Sequence, residues 1–349
     1  MTGTGVRRAV LNFRDVRPVW AIPEGAVAAV RTAFGTGWEV VCVDAPADGR
    51  GDGGAAAPEV VEAVCGAEVY LGFGLPREVL RAALSGPDAR LRWAHTGTAG
   101  VGSLLHPELA EHGVTLTNSA GTMGPPMAES ALAMMLHFAR GLDVAVRAQA
   151  DGRWSADAWA AGAPARELSG ATLVVVALGG VGRELAVRAR ALGMRVLAVR
   201  RSGTDGPEGV EVHAGEGALG QVLPHADYLA LTLPGTVETR GLIGAAELAA
   251  LPAGAVVVNV GRGEVLDEGA LVQALRSGRL RGAGLDVFAT EPLPASSPLW
   301  ELPNVLLTPH VSATSQRFWE RETRLIVENV GRYLGGEALV NEVELARGY

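Results

Sequence analysis

The sequence predicts an α/β protein made of two domains with parallel sheets, and two observations support this. Short runs rich in β-branched residues alternate along the chain with longer helical stretches, which is the pattern of repeated βα units. The alternation occurs in two series, one before the pair Pro125-Pro126 and one that begins at Ala171. A chain of 349 residues is long enough for two domains of about 100–200 residues each.

The first series is predicted to contain five strands with helices between them. The stretches at 76–84 and 107–112 are the helical candidates, and the glycine- and alanine-rich stretch at 45–58 is predicted to be a flexible surface loop. The predicted strands are residues 8–13, 38–43, 67–71, 91–95 and 114–118.

The prolines Pro125 and Pro126 are expected to break the chain before the second series. One long apolar helix is predicted at 127–147, and a final helix at 316–333. With boundaries near Pro125 and at 310–316, one domain is predicted over 1–125 plus 316–349 and the other over 126–315. The second series is predicted to contain strands at 171–178, 195–199, 228–233, 255–260, 282–287 and 305–308, and a helix at 180–192.

Composition excludes several classes of function. Hydrophobic residues make up 48% of the chain and charged residues 19%, which is enough apolar material for sizeable cores. The net charge is −8 and no basic run occurs, which argues against nucleic acid or a membrane as the main partner. The chain contains no lysine, and this excludes a Walker-type phosphate loop and a lysine Schiff base.

The cysteines and histidines point to no metal and no disulfide. Cys42 and Cys65 fit neither a disulfide framework nor a CxxC pair, so we expect two reduced, partly buried thiols. Five histidines, at positions 106, 112, 137, 213 and 225, show no ligand spacing, and no metal is expected. The apolar runs are too short for a signal peptide or a bilayer span, so we expect a soluble cytoplasmic protein.

A glycine-rich turn between a strand and a helix is the sharpest local signal for a ligand. Glycines let the backbone approach a pyrophosphate closely, and the helix N-terminus offers it N–H groups and partial positive charge. Ala177 replaces the first glycine of the usual G-x-G-x-x-G pattern, so a turn that only packs the helix on the sheet is the alternative. The turn of this predicted dinucleotide site comprises Gly179, Gly180, Val181 and Gly182.

Arginines at the end of the next predicted strand bear on the choice of cofactor. Arg200 lies roughly 20 residues after the turn, where NAD-binding sites carry a carboxylate for the ribose 2′-hydroxyl. A guanidinium there can instead bind a 2′-phosphate through charge-assisted bonds. Arg200, Arg201 and Ser202 therefore predict a preference for NADP(H), with NAD(H) as the less favoured cofactor, unless the two arginines are solvated surface residues.

Three motifs in a fixed order give the chain a family resemblance. They are V-N-x-x-R-G within 256–288, D-V-F-x-x-E-P across 286–292 and T-P-H at 308–310. Together with the glycine turn and the stretch at 95–105, they resemble the D-isomer-specific 2-hydroxyacid dehydrogenase family. The resemblance covers about 95–314. It implies a Rossmann dinucleotide-binding domain inserted into a flavodoxin-like substrate domain, and a two-fold homodimer that uses the helix at 127–147.

The resemblance also implies catalytic roles, and these roles agree with the chemistry of reducing a 2-oxo acid. Arg262 is expected to clamp the substrate carboxylate and carbonyl oxygens with its planar guanidinium. His310 is expected to act as the general acid in reduction and the general base in oxidation. Glu291 is expected to hold the imidazole and favour its charged form.

Further residues are assigned to binding by the same resemblance. Asp286 is expected to touch the nicotinamide carboxamide, with Val260 and Gly261 beside the ring, and Leu233, Pro234 and Thr239 to line the adenosine and ribose. The substrate carboxylate is expected to meet backbone N–H groups of the loop formed by Thr98, Ala99, Gly100, Val101 and Gly102. The family often has an aspartate soon after this loop, whereas this chain has Ser103-Leu104-Leu105-His106.

The expected function is hydride transfer between NADP(H) and a small 2-oxo or D-2-hydroxy acid, such as glyoxylate or hydroxypyruvate. The ligand is expected in a cleft at the ends of the parallel strands. Two alternatives stay open at this point. One is a non-catalytic, corepressor-like scaffold that senses a dinucleotide, and the other is a phosphoglycerate dehydrogenase.

Overall fold

A computed structural model of the protein describes residues 6–15, 17–43, 45, 56–160 and 165–346. The chain divides into two units, one made of Met1–Thr122 with Thr314–Tyr349 and the other of Met123–Ala313. Most of the loop predicted at 45–58 lies outside the described residues.

The first unit contains a five-stranded parallel sheet with the strand order β2-β1-β3-β4-β5. Helices α2, α3 and α4 supply apolar side chains to its core, while α1 packs against α12. All five predicted strands are confirmed, with ends that differ by at most two residues. The elements are β1 (Arg7–Asn12), α1 (Glu24–Phe34), β2 (Trp38–Cys42), α2 (Pro58–Val64), β3 (Val69–Gly72), α3 (Arg77–Ala83), β4 (Trp93–Thr96), α4 (Pro107–Glu111), β5 (Thr115–Asn118) and α12 (Phe318–Gly335).

A buried polar network joins α12 to the strands of the first unit. Glu322 and His95 are fully buried, and Glu322 Oε1 lies 2.8 Å from His95 Nε2. Ser119 donates its hydroxyl to the same carboxylate oxygen at 2.8 Å, and Thr117 Oγ1 lies 2.9 Å from His95 Nδ1. Because buried polar groups are costly when left unpaired, this network fixes α12 to one position on the sheet.

The second unit contains a seven-stranded parallel sheet with the order β12-β11-β10-β9-β6-β7-β8. Alternate residues of one strand face opposite sides: Val174 and Val176 join the core formed with α9, α10 and α11, while Val175 joins the core formed with α5 and α8. The elements are α5 (Gly124–Ala139), α6 (Leu142–Ala150), α7 (Ala156–Ala160), β6 (Thr172–Val176), α8 (Gly180–Ala191), β7 (Arg195–Arg200), β8 (Glu211–Ala214), α9 (Ala218–Val222), β9 (Tyr228–Leu231), α10 (Ala245–Ala250), β10 (Ala255–Asn259), α11 (Glu268–Arg276), β11 (Leu280–Leu285) and β12 (Val305–Leu307).

The strand order of this unit reverses between β6 and β9. From β6 the chain proceeds outward to β7 and β8, then returns to β9 and proceeds to β12 on the other side. In sheets of this type, ligands bind at the carboxyl ends of the strands beside the reversal. The loops that follow β6, β9, β10, β11 and β12 therefore leave the sheet at the edge where a ligand is expected.

Two predictions about the start of the second unit are wrong. The apolar stretch at 127–147 forms two helices, α5 and α6, instead of one. They are separated at Gly141, whose left-handed backbone (φ 67°) ends one helix and starts the next. The prolines Pro125 and Pro126 do not break the chain, because they lie in the first turn of α5, where no N–H donor is needed.

Other features of the described chain differ from expectation or were not predicted. Strand β8 at the sheet edge was not predicted, because its sequence Glu-Val-His-Ala is half polar. Cys42 and Cys65 are exposed rather than partly buried, and neither forms a disulfide. Within the described residues, no helix has the length and apolar character that a bilayer crossing requires.

Candidate active site

The three residues with predicted catalytic roles lie on loops that leave neighbouring strands. Arg262 follows β10, and His310 follows β12, with β11 between these strands in the sheet. Glu291 lies on the segment that joins β11 to β12. The carboxyl ends of parallel strands share one edge of a sheet, so the fold brings these loops to one place.

His310 and Glu291 form a hydrogen-bonded pair. Nδ1 of the imidazole lies 2.7 Å from Glu291 Oε2, and both side chains are partly exposed to solvent. The backbone N–H of Phe288 donates to the other carboxylate oxygen, Oε1, at 3.0 Å. Since a carboxylate accepts hydrogen bonds, Nδ1 carries a proton and Nε2 is the nitrogen that can exchange one.

Asp286 fixes the loop that carries His310. Its carboxylate is fully buried and accepts hydrogen bonds from Thr308 Oγ1 (2.6 Å), Val311 N (2.9 Å) and Ser312 N (3.0 Å). Its carbonyl oxygen accepts from the N–H of His310 at 2.8 Å. These bonds hold His310 in a left-handed backbone conformation (φ 54°), which is uncommon for residues other than glycine.

Arg262 is held by the end of its own strand. The buried side chain of Asn259 donates to the Arg262 carbonyl oxygen and accepts from the N–H of Gly261, both at 3.0 Å. The guanidinium donates from Nη1 to the Gly261 carbonyl oxygen at 2.7 Å. Burial lowers the pKa of Arg262, and the carboxylates of Glu291 and Glu264 oppose this shift. The side chain nevertheless remains a cation at any working pH.

A close backbone contact brings the Arg262 and Glu291 segments together. Gly263 lies against the backbone of Phe288, and a Cβ at this position would overlap the Phe288 carbonyl group. Phe288 also donates its N–H to Glu291. The glycine after Arg262 therefore permits the approach that places the Glu291 carboxylate where it acts on both Arg262 and His310.

The glycine-rich turn after β6 fits an anionic ligand. Ala177 takes a positive φ of 75°, which supplies the backbone shape that glycine usually supplies in this motif. A Cβ on Gly182 would overlap the Ala177 carbonyl oxygen, so α8 lies against the strand end as closely as a backbone can. Helix α8 has no side-chain cap at Gly179, and its first N–H groups are left for a ligand. The residues present fit a pyrophosphate.

The arginines at the end of β7 are engaged with acidic side chains. Arg200 donates from Nη1 to Asp205 Oδ1 at 2.7 Å, and Arg201 Nη1 lies 3.5 Å from Glu238 Oε2. Ser202 is exposed beside them. These residues lie at the carboxyl end of β7, the strand adjacent to β6, at the same edge of the sheet as the glycine turn.

Comparison with known proteins identifies the family. The family model described as D-isomer specific 2-hydroxyacid dehydrogenase, NAD binding domain, matches residues 132–312. The chain is 35% identical over 258 residues to glyoxylate/hydroxypyruvate reductase B of Pectobacterium carotovorum, covering 72% of this chain and 78% of that protein. The chain belongs to the D-isomer specific 2-hydroxyacid dehydrogenase family. It is therefore an NAD(P)-dependent oxidoreductase, and the predicted Rossmann fold is confirmed.

Two further relatives of this dehydrogenase bear on cofactor and substrate. The crystal structure of a D-isomer specific 2-hydroxyacid dehydrogenase from Xanthobacter autotrophicus, in complex with NADPH and MES, matches with a TM-score of 0.79 and 32% identity, over 99% of this chain and 100% of that one. The D-3-phosphoglycerate dehydrogenase of Methanocaldococcus jannaschii is 33% identical over 256 residues, which is 71% of this chain and 47% of that protein.

The other predicted cofactor residues of the dehydrogenase lie after β9 and β10. Leu233 and Val260 are buried, and the Thr239 hydroxyl donates to the Pro234 carbonyl oxygen at 2.8 Å. The same hydroxyl accepts from the N–H of Thr236 at 2.8 Å. Thr239 therefore closes the loop that follows β9. Contact of these residues with a cofactor stays a prediction.

The predicted substrate loop belongs to the first unit of the dehydrogenase. Asn118 donates its side-chain amide to the Ala99 carbonyl oxygen at 2.9 Å, and Ser119 N donates to the Thr98 carbonyl oxygen at 3.1 Å. The Thr98 hydroxyl donates to the Gly100 carbonyl oxygen at 3.0 Å. The loop is thus fixed to the end of β5. Val101 is buried beneath it, and Gly102 begins a short 3₁₀ turn.

Sequence reasoning missed two groups of the dehydrogenase site. The contact of Asp286 with the nicotinamide stays a prediction, but its role in holding the His310 loop through both carboxylate oxygens was not predicted. Asp205, the partner of Arg200, was not singled out at all. The motif D-V-F shows that an aspartate stands at position 286. The hydrogen bonds of Asp286 and of Asp205 depend on loops that only the folded chain brings together. Among the described residues, no group of three or more potential ligands is arranged for a metal.

Proposed function

We propose that the protein reduces a small 2-oxo acid, such as glyoxylate or hydroxypyruvate, to the 2-hydroxy acid with NADP(H) as its preferred cofactor. The observation that carries this proposal is the 2.7 Å pair of His310 and Glu291, whose carboxylate also acts on Arg262. This arrangement places a proton donor, His310, and a cation that can bind a carboxylate, Arg262, at the same edge of the sheet as the glycine turn.

Arg262 binds the substrate in this proposal. One of its terminal nitrogens binds the Gly261 carbonyl oxygen, which fixes the plane of the guanidinium. The remaining N–H groups of the fork can bind a carboxylate and the adjacent carbonyl oxygen of a 2-oxo acid. Because the side chain is partly buried, these charge-assisted bonds are stronger than they would be in open water.

His310 supplies the proton in this proposal. When bound, the cofactor supplies the hydride for C2 of the substrate. As negative charge develops on the carbonyl oxygen, Nε2 of the imidazolium donates its proton to that oxygen. Glu291 holds the ring through Nδ1, which fixes its orientation and leaves Nε2 as the nitrogen that exchanges the proton. In oxidation the same nitrogen accepts the proton from the 2-hydroxyl group.

The cofactor would be held at the loops that follow β6, β7, β9 and β10. The N–H groups at the start of α8 would bind the pyrophosphate, and Arg200 with Arg201 and Ser202 would bind the 2′-phosphate. The NADPH in the Xanthobacter structure, which is 32% identical, supports this assignment. The reductase from Pectobacterium supports the substrate class, since its name specifies glyoxylate and hydroxypyruvate.

Turnover of a panel of 2-oxo acids tests the proposal. Glyoxylate, hydroxypyruvate, pyruvate and 3-phosphohydroxypyruvate would each be offered with NADPH and with NADH, and loss of nicotinamide absorbance measured. We expect the highest kcat/KM with glyoxylate or hydroxypyruvate, and a KM for NADPH below that for NADH. Equal or better use of NADH would overturn the cofactor preference. Cofactor binding without turnover of any acid would favour a dinucleotide-sensing scaffold.

A further inference from the structure

The carboxylate of Asp205 lies between two guanidinium groups from different elements of the second unit. Arg200, the last residue of β7, donates from Nη1 to Asp205 Oδ1 at 2.7 Å and to the Asp205 carbonyl oxygen at 2.9 Å. Arg183, in the first turn of α8, donates from Nη2 to Asp205 Oδ2 at 2.8 Å. Each carboxylate oxygen therefore has its own arginine.

The segment around Asp205 is held in place by helix α8. Arg190, seven residues after Arg183 and on the same side of the helix, donates from Nη1 to the Glu208 carbonyl oxygen at 2.9 Å. Hydrogen bonds from Arg183 and the charge of Arg200 lower the pKa of Asp205, so its carboxylate is anionic throughout the neutral range. Asp205 is thus a fixed negative charge at the end of β7, although it is largely exposed.

The Asp205 carboxylate occupies the place that a phosphate would occupy between these two guanidinium groups. Guanidinium groups bind carboxylate and phosphate in the same planar, charge-assisted manner. Arg200 is the residue to which we assign the 2′-phosphate of NADP(H), and this step rests on that proposed function. A 2′-phosphate that approaches Arg200 meets a donor already paired with Asp205, and it meets the repulsion of a like charge.

We propose that Asp205 is a specificity-determining residue that competes with the 2′-phosphate for Arg200 and Arg183. The phosphorylated cofactor binds only when it displaces the carboxylate, whereas NAD(H), which has a 2′-hydroxyl group there, leaves the carboxylate in place. Asp205 therefore reduces the advantage of NADP(H) over NAD(H) in this chain. The selectivity is the difference between the binding free energies of NADP(H) and NAD(H), and Asp205 weakens only the binding of NADP(H).

Binding of nucleotide fragments to the whole protein isolates this effect. Adenosine 2′,5′-bisphosphate carries the 2′-phosphate, and adenosine 5′-monophosphate lacks it but is otherwise the same. Titration calorimetry would measure both affinities for wild type and for Asp205→Asn, which removes the charge and keeps the volume. We expect the variant to bind the bisphosphate about twofold to fivefold more tightly, the range for a largely exposed charge, and to bind the monophosphate as wild type does. The gain should shrink as salt is added.

Glu211→Gln is the matched control. Glu211 pairs with Arg195 at the opposite end of β7, with two bonds of 2.9 Å, so the variant removes the same charge from an Arg–carboxylate pair away from the turn. It should change neither affinity. An Asp205→Asn protein that binds the bisphosphate no more tightly than wild type would overturn the proposal, and so would an equal gain for both nucleotides.

The outcomes separate this inference from the proposed cofactor preference. A wild-type protein that binds both nucleotides equally would refute the preference, while a gain for the bisphosphate in Asp205→Asn would still support competition at Arg200. A wild-type protein that prefers the bisphosphate, together with an unchanged Asp205→Asn variant, would keep the preference and refute competition. Arg200→Ala completes the set, because it should reduce the difference between the two nucleotides in both backgrounds and should remove most of the gain that Asp205→Asn gives for the bisphosphate.

Discussion

The backbone N–H of His310 donates to the carbonyl oxygen of Asp286 at 2.8 Å. The carboxylate of the same aspartate binds the two residues that follow the histidine. A buried residue at the end of β11 thus sets the backbone of a residue at the end of β12. The proposed proton donor therefore lies on a loop whose backbone is held in place by the end of the neighbouring strand.

Replacing His310 by alanine should abolish most of the turnover. If the imidazole donates the proton, kcat for 2-oxo acid reduction should fall by about 10²–10⁴-fold, while the affinity for the cofactor stays close to that of wild type. Steady-state kinetics with a fluorescence titration of cofactor would measure both. The control is His225→Ala, which removes an exposed histidine at the end of a 3₁₀ turn. Near-normal turnover in His310→Ala would remove this residue from the mechanism.

The Glu291 and His310 side chains should act as one unit. Glu291→Gln removes the charge that holds the imidazolium, and kcat should fall by about 10–10³-fold. In a protein that already carries His310→Ala, the same change should have little further effect, because its target is gone. A double-mutant cycle on kcat/KM would measure the coupling, with exposed Glu301→Gln as a control expected to add no loss. Additive losses would show that Glu291 acts elsewhere, for example on Arg262.

Ala177→Gly should stabilise the protein. Ala177 has a φ of 75°, a conformation that strains an alanine and not a glycine. Relief of this strain should raise the free energy of unfolding by about 1 kcal/mol, as measured by denaturant or thermal unfolding. The control is Ala230→Gly in the buried strand β9, which should destabilise instead, because it leaves a small void and loosens a regular strand. If Ala177→Gly instead lowers the free energy of unfolding, the backbone of Ala177 is not strained.

Glu68→Gln should destabilise the first unit at neutral pH and much less in acid. Burial opposes ionisation of Glu68, but hydrogen bonds from Arg7 (2.9 Å) and Tyr333 (2.7 Å) outweigh it and lower the pKa of this carboxyl below 4.5. Because the pKa of Glu68 is lower in the folded protein than in the unfolded chain, the charged carboxylate stabilises the fold at pH values above the unfolded pKa near 4.5. This stabilisation is lost as the pH falls through the lower pKa of the folded protein.

The unfolding free energy of wild type and Glu68→Gln would be measured from pH 7 down to about pH 3. We expect a difference of about 1–2 kcal/mol at pH 7 that narrows below pH 4.5. Glu39→Gln is the control, because the Glu39 carboxylate, which pairs with Arg8, is 49% exposed against 16% for Glu68 and should contribute little. A difference that stays constant with pH would show that the charge of Glu68 is not responsible.

Val146→Asp should convert a dimer into a monomer, if the expected homodimer forms through the helices that start the second unit. Leu142 and Val146 lie four residues apart on α6 and are 45% and 56% exposed, so together they form an apolar patch on one side of the helix. Light scattering would measure the mass at micromolar concentration. Val187→Asp on α8 is the control, because Val187 is similarly exposed, at 52%, and lies on another helix. If light scattering gives the mass of a monomer for the wild-type protein, the predicted homodimer is wrong.

The sheets were predictable because parallel strands buried on both faces leave a strong signal of continuous apolar runs. The runs before Gly179 and Arg262 are examples, and the motifs that follow them locate the candidate site by residue type. The break at Gly141 was missed, because a single glycine in an apolar stretch is compatible with one helix or two. The Asp286 bonds and the pairing of Asp205 could not be predicted, because each joins segments that only the folded backbone brings into contact.

The hydrogen bond between Glu322 and His95 has a consequence for the order of folding. Helix α12 follows the whole of residues 123–313 along the chain, so during synthesis the second unit has left the ribosome before Glu322 appears. Until then His95 and Ser119 have no acidic partner, and the first five strands lack the helix that closes over them. The second unit can therefore fold during synthesis before the first, whose sheet and helices are complete only once α12 has emerged.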